Sequence, residues 1–127
     1  MKSKETTLLV GNVFPLTLIS RKVLIEPISL EEFTDCATHA KIYSFWGHSN
    51  TLAAACMACG VDLTPRTPRA VVTTSENGLP MLDGLEFERC FLVSPRYRQA
   101  FRPAIGEEVS LNQIAFWQIL KMTWMEA

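Results

Sequence analysis

Runs of apolar residues and of alternating apolar and polar residues along the chain predict five strands. The second run is expected to stop at Pro27, because proline cannot donate a hydrogen bond to a neighbouring strand. An Asn77-Gly78 turn separates the third run from the fourth, so these two are expected to pair as a hairpin. The last run is rich in aromatic and branched residues, which favours a strand over a helix. The five runs are 7–10, 22–26, 69–74, 86–93 and 116–124.

A helix is predicted in the segment that follows Pro27. Ser29 with Glu32 three residues later is a capping box, in which the serine side chain bonds the backbone at the start of a helix. We therefore expect a helix over 30–40. The segment 94–111 is broken by prolines and a glycine, so it is expected to be mostly loop.

A second, alanine-rich helix is predicted over 50–59, where the small side chains suit close packing on a sheet. Its N-cap is expected at Ser49 or Asn50, and Gly60 is expected to end it. With the strands, these helices predict an α/β fold in which a mixed sheet of about five strands is flanked by helices. Residues 1–127 are expected to form one domain.

The charge balance excludes one class of function. With a net charge of −1 and 20% charged residues, the chain lacks the strongly basic surface of a protein that binds long nucleic acids. A small anionic ligand remains possible. The sequence shows neither a signal peptide nor an apolar run of about 20 residues that could cross a bilayer, so we expect a cytoplasmic protein with no membrane partner.

The histidine in Gly47-His48-Ser49-Asn50 lies at the mouth of the second predicted helix. A helix N-terminus presents unpaired N–H groups and the positive end of the helix dipole, so it binds anions readily. Gly47 would allow a ligand to approach the backbone, Ser49 would add a donor, and His48 could act as an acid or base beside a phosphate. The alternative is that His48 is a surface or packing residue.

Arginines cluster near the ends of two predicted strands, and guanidinium groups match phosphate oxygens well. This pattern predicts an anion pocket, although a solvated loop face would have the same composition. The arginines are Arg66 and Arg69 before one strand, and Arg96, Arg98 and Arg102 after the next.

Four potential zinc ligands occur as two closely spaced pairs. They are Cys36 with His39, and Cys56 with Cys59. Both pairs fall in predicted helices, where small thiols also pack as ordinary core, so buried thiols are the default interpretation and a structural zinc site is the alternative.

In their order and spacing, several of these residues resemble the viral and prophage ring nucleases, which are anti-CRISPR proteins that act against type III systems. The resemblance covers about residues 7–97. It rests on a strand ending in Asn12-Val13-Phe14, on Gly47-His48 before an apolar helix that ends at Cys59-Gly60, on Arg69 before a strand, and on Ser94 and Arg96 closing the next.

The resemblance implies a homodimer that binds cyclic tetra-adenylate across its two-fold axis and cuts it without metal or cofactor. His48 would be the general acid and Arg96 would stabilise the transition state. The ligand contacts would come from Asn12, Gly47, Ser49, Arg69 and Ser94, with Arg66 as an alternative to Arg69. The chain departs from the family at Pro15, Ser49, Pro95 and Gln99.

The resemblance therefore implies a metal-independent phosphodiesterase that linearises a cyclic oligoadenylate messenger, leaves a 2′,3′-cyclic phosphate and switches off type III CRISPR signalling. Two alternatives from other classes stay open. One is a sponge that binds the cyclic oligonucleotide without cutting it, and the other is a zinc-stabilised viral interaction protein.

Overall fold

A mixed sheet of five strands forms the centre of the structure, with a smaller sheet of three strands beside it. The structure, a computed structural model, describes residues 6–47, 49–67, 70–97 and 113–126. In chain order the elements are β1 (Thr7–Gly11), β2 (Val23–Ile28), α1 (Leu30–Thr38), β3 (Lys41–Ser44), α2 (Ser49–Cys59), β4 (Thr73–Thr74), β5 (Pro80–Leu82), β6 (Leu85–Glu86), β7 (Arg89–Tyr97) and β8 (Ile114–Trp124). The α/β class and the five-stranded mixed sheet are as predicted.

The strand order in the large sheet is β2-β8-β7-β1-β3. β1 runs parallel to both β3 and β7, whereas β8 is antiparallel to β7 and to β2. The carboxyl ends of β1, β3 and β7 therefore point in the same direction. This is the edge at which open sheets with parallel strands usually bind ligands.

The two faces of the large sheet pack against different cores. On one face, α1 and α2 cover the sheet, and the ring of fully buried Phe33 lies 5.6 Å from that of Phe91. On the other face, Leu9 and Met122 pack with residues from the loops and the small sheet. Because residues alternate along a strand, β7 sends Phe91 and Val93 to the helical face and Cys90 and Leu92 to the other.

Both predicted helices are present. Of the three helix ends that the sequence predicts, the start of α1 and the end of α2 are as predicted, and the start of α2 is not. The Ser29 hydroxyl accepts a hydrogen bond from the Glu32 N–H at 3.0 Å, which caps α1. Gly60 has φ +66° and its N–H bonds the Cys56 carbonyl at 2.9 Å, which ends α2. The N-cap prediction at Ser49 or Asn50 is wrong, because α2 already begins at Ser49.

The predicted hairpin between 69–74 and 86–93 is wrong. Within the first of these segments only Thr73–Thr74 is described as strand, and it pairs with β5 in the small sheet. The Asn77-Gly78 turn does form, with φ +74° at the glycine, but it joins β4 to β5. β5 then turns at Asp83-Gly84 into β6, so β7 is free to enter the large sheet between β1 and β8. The fifth strand of the large sheet is instead β3, which the sequence reading missed and which pairs with β1.

Two prolines lie inside strands that were predicted to end at or before them. β2 continues through Pro27 to Ile28, and β7 continues through Pro95 to Tyr97. β2 is an edge strand, and β1 ends at Gly11 opposite Leu92, so β7 beyond Leu92 pairs with β8 alone. A strand with one unpaired side tolerates a proline. The predicted loop at 94–97 is therefore strand, and 98–112 lie outside the described residues.

Within the described ranges, no helix has the length and apolar character needed to span a bilayer.

Candidate functional site

Asn12 joins the three parallel strands at their carboxyl edge. The residue is 9% exposed, and its Oδ1 accepts a hydrogen bond from the Gly47 N–H at 2.9 Å. Its backbone carbonyl accepts a hydrogen bond from the Ser94 hydroxyl at 3.1 Å. Asn12 follows β1, Gly47 follows β3, and Ser94 lies in β7. Three of the predicted ligand-binding residues are thus brought into one group, which we call the Asn12 junction.

The chain from β3 to α2 is held by a second set of contacts. The Phe45 N–H bonds the Val10 carbonyl at 3.0 Å, which continues the pairing of β3 with β1. The Trp46 indole N–H bonds the Thr51 hydroxyl at 3.0 Å, which ties the end of β3 to the first turn of α2. Gly47 therefore lies between a fixed strand end and a fixed helix start. Sequence reasoning missed the Trp46–Thr51 contact, because no local pattern marks it.

His48 and Arg69 lie outside the described residues. The residues on either side of His48 are described: Gly47 is bonded to Asn12, and the backbone of Ser49 begins α2. The N-terminus of an eleven-residue helix is therefore next to the Asn12 junction. The positive end of the helix dipole favours an anion there.

An open pocket of about 190 Å³ adjoins the Asn12 junction. Its lining is mainly apolar, and two of the lining valines, Val13 and Val71, are well exposed. Such a lining suits a flat apolar group rather than a second charge. The pocket is lined by Asn12, Val13, Pro15, Phe45, Gly47, Ala70, Val71 and Val72.

Arg96 lies two residues beyond Ser94 on β7, so the two side chains share the face of the sheet that is opposite the helices. Arg96 is exposed and donates a hydrogen bond to the Gln118 side-chain oxygen on β8. Gln118 is the cross-strand partner of Ser94. Gln118 thus holds the Arg96 guanidinium beside the strand that carries Ser94. The sequence did not reveal Gln118, because its position depends on the pairing of β7 with β8.

Arg66, the alternative to Arg69, stacks on β3. Its guanidinium carbon lies 4.8 Å from the centre of the Tyr43 ring, and the Lys41 ammonium lies 5.5 Å from the same ring. Both are cation–π contacts, which hold positive charge beside β3. The structure therefore gives Arg66 a packing partner of its own.

The four residues of the zinc alternative do not form a ligand group. Across the described ranges, which include all four, no three potential metal ligands come together. Cys36 is exposed, whereas Cys59 is buried and the Cys56 sulfur accepts a hydrogen bond from the Leu63 N–H at 3.3 Å. Burial, with a smaller contribution from Cys56, raises the pKa of the Cys59 thiol to about 11. The default interpretation of buried thiols is therefore right for Cys59 and wrong for Cys36, while Cys56 is partly buried.

Thiol labelling should separate these cysteines. A disulfide reagent at pH 8 should modify Cys36 rapidly, whereas Cys59 and Cys90 should react only after unfolding, since burial raises the pKa of both thiols and a thiol reacts as its thiolate. Labelled peptides are assigned by mass spectrometry, with Cys36→Ser as the control that removes the rapid reaction. Protection of Cys36 by added zinc would instead support the zinc site.

Comparison with known proteins shows a similarity of fold to solved structures. No protein-family model matches the sequence, and no curated protein matches it. Among solved structures, the fold is similar to B116 of Sulfolobus turreted icosahedral virus, with a TM-score of 0.55 and 13% identity over 94% of this chain and 99% of that one. The similarity extends over nearly the whole of both chains and concerns the fold alone.

Proposed function

We propose that the protein is a metal-independent ring nuclease, which binds a cyclic oligoadenylate, with cyclic tetra-adenylate as the first candidate, and opens it to switch off type III CRISPR signalling. The observation that carries the proposal is the Asn12 junction. There, the buried Asn12 side chain accepts a hydrogen bond from the backbone immediately before His48, and the Asn12 backbone carbonyl accepts one from Ser94 on the strand that bears Arg96. An acid and a cation are thus attached to one rigid group at the sheet edge that favours ligands.

The chemistry requires orientation, charge neutralisation and one proton. The ribose 2′-oxygen attacks the adjacent phosphorus, and its proton passes to solvent while the new P–O2′ bond forms. The P–O5′ bond breaks, and His48 donates a proton to the departing 5′-oxygen. Arg96 offsets the charge that builds on the phosphoryl oxygens. The products are a 5′-hydroxyl and a 2′,3′-cyclic phosphate, so no redox step is involved.

A homodimer fits a ligand of this kind, because a ring of four identical nucleotides has a two-fold axis that two copies of the chain can share. Arg69 and Ser49 would supply further ligand contacts beside the Asn12 junction. The similarity of the fold to a viral protein supports a viral or prophage origin. On that origin the protein acts in the cytoplasm of the infected cell.

The proposal is tested with purified protein and a panel of cyclic oligoadenylates of three, four and six nucleotides. We expect one ring size to be converted into linear products that end in a 2′,3′-cyclic phosphate, at a rate unchanged by chelator, as judged by mass spectrometry. Recovery of the intact ring from a stoichiometric complex would favour the sponge. Failure to bind any ring would overturn the proposal.

A further inference from the structure

At the end of the β7–β8 pair that leads into residues 98–112, an aromatic ring lies beside the candidate phosphate-binding arginine. Phe116 is the direct cross-strand partner of Arg96, and Gln118 is the direct partner of Ser94. These four residues lie on the face opposite the helices, because they continue the alternation that places Cys90 and Met122 in the second core. We call this group the β7–β8 platform.

The β7–β8 platform begins where the core on that face ends. Cys90 and Met122 are buried, Leu92 is partly buried, and Arg96 is exposed. Phe116 is 60% exposed, and a ring of this size gains more from burial than most surface residues do. An exposed aromatic on an open sheet face, next to a cation, is the arrangement with which proteins bind the bases of single-stranded nucleic acids.

We propose that Phe116 stacks on an adenine base of the cyclic oligoadenylate while Arg96 holds the neighbouring phosphate. Side chains directly opposite each other on an antiparallel pair are about 5 Å apart at their Cβ atoms, so the ring and the guanidinium can contact adjacent parts of one nucleotide. Gln118 keeps the guanidinium at this end of the strand pair by accepting its hydrogen bond. The flat base would stack on the Phe116 ring, and the anionic phosphate would bind the Arg96 guanidinium. The inference rests on the proposed function and adds a residue that recognises the base.

The test measures binding to a cyclic tetra-adenylate in which 2-aminopurine replaces one adenine, because stacking quenches the fluorescence of this base. The His48→Ala background keeps the ring intact. Base stacking on an aromatic side chain corresponds to a change in affinity of about 5- to 150-fold, so Phe116→Ala should weaken binding by that factor and reduce the quenching. Phe116→Trp should retain both affinity and quenching.

Leu24→Ala is the matched control, since Leu24 is an exposed large side chain on β2 of the same sheet and should leave binding unchanged. In the active protein, Phe116→Ala should raise KM and leave kcat within about threefold, because stacking contributes equally to ground state and transition state.

Three results would overturn the inference. If Phe116→Ala binds the ring as tightly as its parent, the base does not stack there, and the proposed function is unaffected. If Phe116→Ala converts a dimer into a monomer in analytical ultracentrifugation, the platform is a contact between two copies of the chain. If the parent binds no ring, the inference falls together with the proposed function.

Discussion

His48→Ala should open cyclic tetra-adenylate about 10²- to 10⁴-fold more slowly than the parent protein, which is the range that a positioned general acid contributes. The reason is the leaving group: without a proton donor, the 5′-oxygen must depart as an alkoxide. The rate is measured in single turnover with protein in excess, so that product release does not limit it. Binding of the ring should be much less affected, because the Asn12 junction and Arg96 remain.

A substrate with a better leaving group distinguishes a general acid from a residue that only shapes the site. If sulfur replaces the 5′-oxygen at one linkage, the departing thiolate needs no proton, so His48→Ala should cut that linkage nearly as fast as the parent does. His39→Ala is the matched control, since His39 is the other histidine of the chain and is exposed at the end of α1. A rate for His48→Ala within threefold of the parent on the natural ring would refute the assignment.

Elements marked by local chemistry could be predicted from the sequence. The cap at Ser29, the positive φ at Gly60 and the apolar run of β1 each depend on neighbours along the chain, and each is as predicted. The pairing of strands depends on contacts between distant residues. β3 is only four residues long, and it exists as a strand because β1 offers it a parallel edge. The hairpin prediction was wrong for the same reason, since β7 pairs with β1 and β8, and no local pattern marks either pairing.

In the candidate site, too, residue types could be predicted from the sequence, whereas contacts between distant residues could not. Asn12, Gly47 and Ser94 were predicted as ligand-binding residues, and the structure brings these three together. Their bonds to one another could not be predicted, because the parallel order of β1, β3 and β7 brings them to one edge. The positions of Gln118 and Phe116 beside Ser94 and Arg96 depend on the pairing of β7 with β8, which continues through Pro95. Because the predicted strand ended before Pro95, this pairing could not be predicted.

Gly11→Val should lower the free energy of unfolding by about 3 kcal/mol, the upper part of the range for overpacking a buried position. Gly11 is the last residue of β1, and a Cβ atom there would overlap the ring of Phe45 and lie within 2.7 Å of its Cδ2. Phe45 has little room to move, since it is buried and packs edge-on against Phe14. Urea denaturation followed by tryptophan fluorescence measures the change.

Gly47→Ala provides the control for glycine replacement as such. The nearest atom to a Cβ at that position is the Asn12 Oδ1 at 3.8 Å, so alanine fits, and the change in stability should stay within about 0.5 kcal/mol. If the loss in Gly11→Val comes from the overlap, Phe45→Ala should offset part of it. The double variant should then be less destabilised than the sum of the two single ones, by about 1 kcal/mol or more. Additive losses would show that the cost arises elsewhere.

Because Phe45 leads directly to Trp46 and Gly47, Gly11→Val should also weaken ring binding at temperatures where the variant is still folded.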